Sequence, residues 1–179
     1  MLYNTLIVTH FNYCLLIWGS KIEQNGHIHK LQKKALRIIN HSDYVAHSEP
    51  LCKELSLLKV TDMFRVSLWK FYYKLMNNLL PHYFNVLIPE LPRVCNFHEI
   101  RRPTFHFPII KHEFAESLIS YQLVRMLNEE WGSILITAKV HTHSFLGFKL
   151  YVKNKMIESY TNQCYILDCY SCNTRRNSD

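Results

Sequence analysis

Glycine and aspartate are both scarce in this sequence, and each shortage removes a class of chemistry. Only 4 glycines occur in 179 residues, and they stand too far apart to form a loop that could cradle phosphate. The aspartates are Asp43, Asp62, Asp168 and Asp179, with no two adjacent. Two-metal phosphoryl chemistry needs carboxylates clustered around cations about 4 Å apart, and no local motif supplies them. A serine nucleophile elbow, an HExxH helix and a P-loop are also missing. The 11 histidines are dispersed along the chain. These patterns predict no catalytic residue and no cofactor.

Long hydrophobic runs are missing too. Residues 2 to 18 come nearest, but Asn4, Thr5, Thr9, His10, Asn12 and Tyr13 interrupt them. A membrane span needs about 18 continuous apolar residues, so no membrane partner is expected. The same stretch lacks the charged start and small-residue cleavage site of a signal peptide. The six cysteines (Cys14, Cys52, Cys95, Cys164, Cys169 and Cys172) are scattered. They read as free thiols of a reducing, intracellular protein, nuclear or cytoplasmic. Cys164, Cys169 and Cys172 have spacings of four and two that could serve zinc, with His141 or His143 as a distant fourth ligand. No fourth ligand stands nearby, so a metal-free tail is the expectation.

What is present is apolar and basic. Hydrophobic residues make up 48% and aromatics 13%, enough for a buried core. The formal net charge is +7, and residues 1 to 40 hold five Lys/Arg against one Glu. More than half of the excess charge therefore lies around one segment, KLQKKALRII at residues 30 to 39. At about 100° per residue, Lys30, Lys33, Lys34 and Arg37 share about a third of a helical turn, and His41 continues the line. Ile28, Leu31, Ala35, Ile38 and Ile39 cluster opposite. This predicts an amphipathic helix that buries the second group, with Leu31 in the core, and presents the first. A solvated helix face normally mixes signs, because like charges at i,i+4 repel. Two readings stay open on this pattern alone, a soluble face or a polyanionic partner.

Helical periodicity recurs along most of the chain. Helices are expected near residues 2–18, 27–40, 49–56, 62–76, 113–128 and 145–159. The first, with Tyr3, Leu6, Ile7, His10, Cys14, Ile17 and Trp18 on its buried face, ends near Gly19. Ser48 is the predicted cap of the third, with Pro50 in its first turn. Thr61 and Asp62 start the fourth, whose stripe is Phe64, Leu68, Phe71, Tyr72 and Leu75. Phe114, Leu118, Tyr121, Val124 and Leu127 mark the fifth. Ser144 caps the last, which carries Phe145, Phe148, Val152 and Met156, with Lys149 and Lys153 on its flank. Five of the 6 prolines fall between Pro81 and Pro108, so that stretch is expected to be irregular. The fold class is mainly α: a helical bundle over 1–80, a Pro-rich irregular connection over 81–112, further helices over 113–160, and a Cys-containing tail over 161–179.

The order of these segments carries a resemblance. The runs LYNTLIVTHFNYCLLIWGS, HKLQKKALRIIN, AHSEPLCKELSLLKVTDMFRVSLWKFYYKL and LLPHYF, across residues 2 to 84, resemble the C-terminal part of LINE-type, jockey-like non-LTR retrotransposon reverse transcriptases. Trp18-Gly19 matches that family's aromatic-Gly pair, and the LQKKA-R-I helix follows it. Arg101-Arg102-Pro103, Glu130-Trp131 and SFLGFKLYVKNKMIESY look like the post-thumb tail. The resemblance implies that residues 1 to about 80 are a thumb, which grips a primer–template duplex. It makes Lys30, Lys33, Lys34 and Arg37 candidate phosphate contacts. The family's catalytic aspartate pair lies in a palm upstream of anything present here. The chain is therefore expected to be a fragment of an RNA-directed DNA polymerase, not an enzyme by itself. A protein partner corresponding to the palm is a further expectation. The alternatives are a helical protein-interaction module and a non-functional transposon-derived remnant.

Overall fold

The computed structural model describes residues 2–21, 26–44, 46–87, 105–109, 111–130 and 144–160, and these are mainly helical with no strand among them. The N-terminal segment is a π-helical turn, Asn4–Val8, running into α1 (Thr9–Asn12), then α2 (Leu15–Trp18). There follow α3 (Gly26–Ile39), α4 (Ser48–Glu54), α5 (Val60–Met76), α6 (Ile119–Glu130) and α7 (Phe145–Glu158). Among the described residues no helix is long and apolar enough to cross a membrane.

The seventeen residues of α5 form the axis of the fold, because they carry apolar side chains on more than one face. Phe64 and Leu68 alternate with Val66, Trp69, Tyr73 and Leu75, and all are buried. Such a helix must be covered on several sides. α7 covers one with Phe148 and Val152, and the Phe148 ring lies 4.9 Å from that of Tyr73. α6 covers another with Leu123, Val124, Met126 and Leu127. Leu15 of α2 closes a third. One core thus draws on residues from both halves of the chain. A second cluster, Tyr3, Leu36, Cys52 and Tyr160, sits under α3 and α4.

Gly19 lies where the chain passes closest to α5. A methyl group there would come within 2.3 Å of the Phe64 ring, so the short side chain answers to space, not to backbone conformation. That accounts physically for the glycine after Trp18.

Three helix ends share one device. His41, Ser56 and Asn78 take positive φ of 48°, 52° and 53° just past α3, α4 and α5. In each case the next amide reaches back five residues: Ser42 to the Arg37 carbonyl, Leu57 to Cys52, and Leu79 to Lys74. This closure satisfies orphan carbonyls and usually recruits glycine; here it runs on other residues. His41 therefore turns off the helix and does not prolong the cationic line.

Several sequence expectations are corrected. The segment 2–18 is not one helix: Cys14 adopts φ 48°, and the chain turns at Tyr13 and Cys14 before α2. Leu6, His10, Cys14 and Ile17, which the spacing places on the buried face, are exposed, and Leu15 is buried instead. α4 begins at Ser48 itself, and no side chain caps it. α5 begins at Val60, two residues before the expected start. Residues 113–117 form a tight 3-10 turn, and Leu118 is extended at ψ 146°, so the fifth helix starts at Ile119. Phe114 and Leu118 are consequently exposed. The last helix agrees, with Ser144 Oγ accepting from the Gly147 amide at 3.3 Å.

Most of the Pro-rich stretch, and the tail with Cys164, Cys169 and Cys172, lie outside the described residues. What is described of the former is a 3-10 turn at His82–Leu87, pinned by a Phe71–Phe84 edge contact, and residues 105–109. There the Asn128 side chain meets both backbone groups of Phe105, accepting at 2.7 Å and donating at 3.1 Å.

Candidate nucleic-acid interface

The orientation of α3 is set by a glutamine. Gln32 is 2% exposed, and its amide makes three hydrogen bonds. It donates to the Tyr3 hydroxyl at 3.0 Å and to the Leu58 carbonyl at 2.8 Å, and it accepts from the Val60 amide at 2.9 Å. The Val60 amide belongs to the first turn of α5, where donors lack intrahelical partners. Gln32 therefore caps a helix 28 residues away. With Leu36 beside it at 1% exposure, it defines the buried side of α3.

That side is turned by about 90° from the expected one, as counted at about 100° per residue. Leu31 is 63% exposed and Ile38 65% exposed, so the expectation that Leu31 fills the core fails. Ile39 is exposed as well, and Ile28 and Ala35 are half-buried. The reason is that α4 and α5 approach α3 from the Gln32 and Leu36 side. A polar residue with partners for every bond holds the interior against two aliphatic ones.

The four cations do not share one environment. Lys30 and Lys34 are exposed, whereas Lys33 and Arg37 are half-buried. Together with His27, Leu31 and Tyr44 they line a furrow that contains no carboxylate. Among the described residues Lys30, Lys33 and Lys34 have no ion-pair partner. Arg37 is committed differently: its Nε donates to the Ala46 carbonyl at 2.9 Å, and its guanidinium lies 5.6 Å from the centre of the Tyr44 ring. It positions the loop after α3 while keeping its charge. His29, on the inner edge, has its imidazole held below the usual histidine range, chiefly by burial and then by Lys33 and Lys59, with Asp62 opposing. It therefore adds little charge near neutrality.

Chemically the furrow can hold a phosphate backbone by charge alone. Its lining has no pattern of amides aimed outward that would read base edges. Among the described residues no three of His, Cys, Asp and Glu converge as a metal site would need. No protein-family model, no curated protein and no solved structure matches this chain.

The sequence located the four cations, but not the partner of Arg37. Ala46 presents only a backbone carbonyl, which leaves no trace in residue identity. Leu31 and Ile38, which border the same face, are exposed where their spacing predicts burial.

Proposed function

We propose that the chain is a thumb-like region of a reverse transcriptase of the non-LTR retrotransposon kind, gripping a nucleic-acid duplex through α3 without reading its sequence. One observation carries this reading. Lys30, Lys33, Lys34 and Arg37 line one furrow with His27, and no carboxylate among the lining residues offsets them. The ordered resemblance across residues 2–84 supplies the polymerase context, and the mainly helical architecture agrees with a thumb. The paired carboxylates of that family's palm have no counterpart among the aspartates of this sequence. The reading therefore assigns this chain binding, not polymerisation.

Duplex titration at several salt concentrations tests it. Each phosphate neutralised on a DNA-like duplex contributes a slope of about 0.9 in log K against log salt. The Lys30→Gln, Lys33→Gln, Lys34→Gln triple variant is expected to flatten the wild-type slope by up to about 3. Affinity should be indifferent to sequence.

A second reading, a helical protein-interaction module, draws on the exposure of Leu31 and Ile38 beside the cations. Apolar side chains ringed by charge of one sign suit an acidic, amphipathic partner. An unchanged slope and affinity in the triple variant would discard the duplex reading.

A further inference from the structure

Sharing no lining residue with the α3 furrow, an opening of about 230 Å³ lies between the N-terminal segment, the α4–α5 connection, α5 and α7. Its floor is aliphatic, made of Val8, Leu57, Met63 and Val66. Its rim is cationic. Lys149 and Lys153, one turn apart on α7, line the opening together with Lys70 of α5. Lys70 also lines the adjoining opening beside Lys74. No carboxylate lines either opening, and among the described residues none of Lys70, Lys149 and Lys153 has an ion-pair partner.

Such an arrangement works against folding. Like charges at i,i+4 repel, and Lys70 is half-buried as well. Its ammonium is held below the usual lysine range by burial first, then by Lys149 and Lys74. A bound anion would offset the repulsion and favour the charged form of Lys70. We propose that the opening binds a small amphiphilic anion, its carboxylate or phosphate held by Lys70, Lys149 and Lys153 and its aliphatic body laid on Val8, Met63 and Val66.

Size and lining narrow the ligand further. Drug-sized ligands occupy sites of about 300–1,000 Å³, so this one takes a short chain. A nucleotide base is disfavoured because stacking needs an open aromatic face. Tyr3 is the one aromatic in the lining; its ring is buried and its hydroxyl is bonded to Gln32.

The test is calorimetric titration of the full chain with octanoate and octyl phosphate, set against inorganic phosphate and octanol, which each carry one half of the ligand. Either octyl anion is expected to bind at least about tenfold more tightly than both halves, since charged head and apolar body act together. The tighter of the two octyl anions identifies the head group. The Lys149→Gln, Lys153→Gln double variant should weaken that binding by about tenfold while keeping the wild-type circular dichroism. Mass-mapped acetylation gives a second readout: the ligand should shield Lys70, Lys149 and Lys153 and leave Lys30 and Lys34 as reactive as before. Octanol binding as tightly as the anions, binding undiminished in the double variant, or shielding at Lys30 and Lys34 instead would each overturn the proposal.

Discussion

Gln32 and Val60 are joined by a 2.9 Å hydrogen bond from the Val60 amide to the Gln32 side-chain oxygen, inside the protein. The bond couples the rotation of α3 to the start of α5. It decides which residues of the basic helix face outward, and so it shapes the candidate interface from behind.

Replacing Gln32 should therefore be costly. In Gln32→Leu the Val60 amide, the Leu58 carbonyl and the Tyr3 hydroxyl all lose a partner. A stranded buried group costs about 1–3 kcal/mol, so a loss of about 3 kcal/mol or more is expected. Urea unfolding midpoints measure it, with Lys34→Gln as an exposed control expected to stay within about 0.5 kcal/mol.

The turned face of α3 gives a paired prediction. Leu36→Ala should cost about 2–5 kcal/mol through a core cavity, whereas Leu31→Ala should cost under about 0.5 kcal/mol. Equal losses in thermal or urea unfolding would mean that Leu31 is an interior residue after all.

Arg37 should separate from the lysines in experiment. Arg37→Gln removes a hydrogen bond to the Ala46 carbonyl as well as a charge. A loss of about 1.5–3 kcal/mol is expected, as for bonds to charged groups. Lys30→Gln should leave stability unchanged and act on duplex affinity alone. Measuring both quantities for both variants checks the division.

Alkaline solution should weaken the fold. Burial is the leading cause that raises Tyr3, Tyr72 and Tyr160, and it pushes the Cys52 thiol up to about 11. Unfolded thiols and phenols ionise near about 8.5 and 10. Between the unfolded and folded values the native state holds protons that the unfolded state has released, so stability falls as pH rises. Lys70 contributes in the opposite sense, because its ammonium is depressed in the fold. Four groups against one leave a net fall that begins near pH 8.5 and steepens past about 10. Urea midpoints between neutral and strongly alkaline pH test it. Tyr160→Phe should show a shallower alkaline decline from a lower neutral starting point.

Ser56 offers a stabilising change. A left-handed residue other than glycine costs about 1–2 kcal/mol, and glycine gives back about 0.5–1 kcal/mol in chain entropy. Ser56→Gly should raise stability by up to about 1 kcal/mol, read as a higher melting temperature.

Legibility in the sequence followed the range of the forces. α4, α5 and α7 were found within a residue or two because periodicity and local end signals define them. The break at Cys14 was hidden, since nothing in that residue type announces a φ of 48°. Phe114 and Leu118 had helical spacing but belong to a 3-10 turn and an extended residue. The buried face of α3 departs from its aliphatic pattern for a different reason. Gln32 looks like a surface residue until its three partners, contributed by Tyr3, Leu58 and Val60, are in view. In the candidate interface the cations were legible as charge on a helix. The tether from Arg37 to Ala46 was not, because it ends on a backbone atom.

Tyr160 carries a consequence in time. Its hydroxyl donates to Asp62 Oδ2 at 2.5 Å and accepts from the Lys59 amide at 3.0 Å, so it completes the first turn of α5 from 98 residues downstream of Asp62. A ribosome adds about 5–20 residues per second, so the central helix, complete at Met76, exists for about 4–17 s before that hydroxyl is even synthesised. During that interval Gln32, already synthesised, can hold the Val60 amide, whereas the Asp62 carboxylate and the Lys59 amide must wait in water for their partner. The axis of this fold is thus synthesised well before one of the groups that hold its first turn.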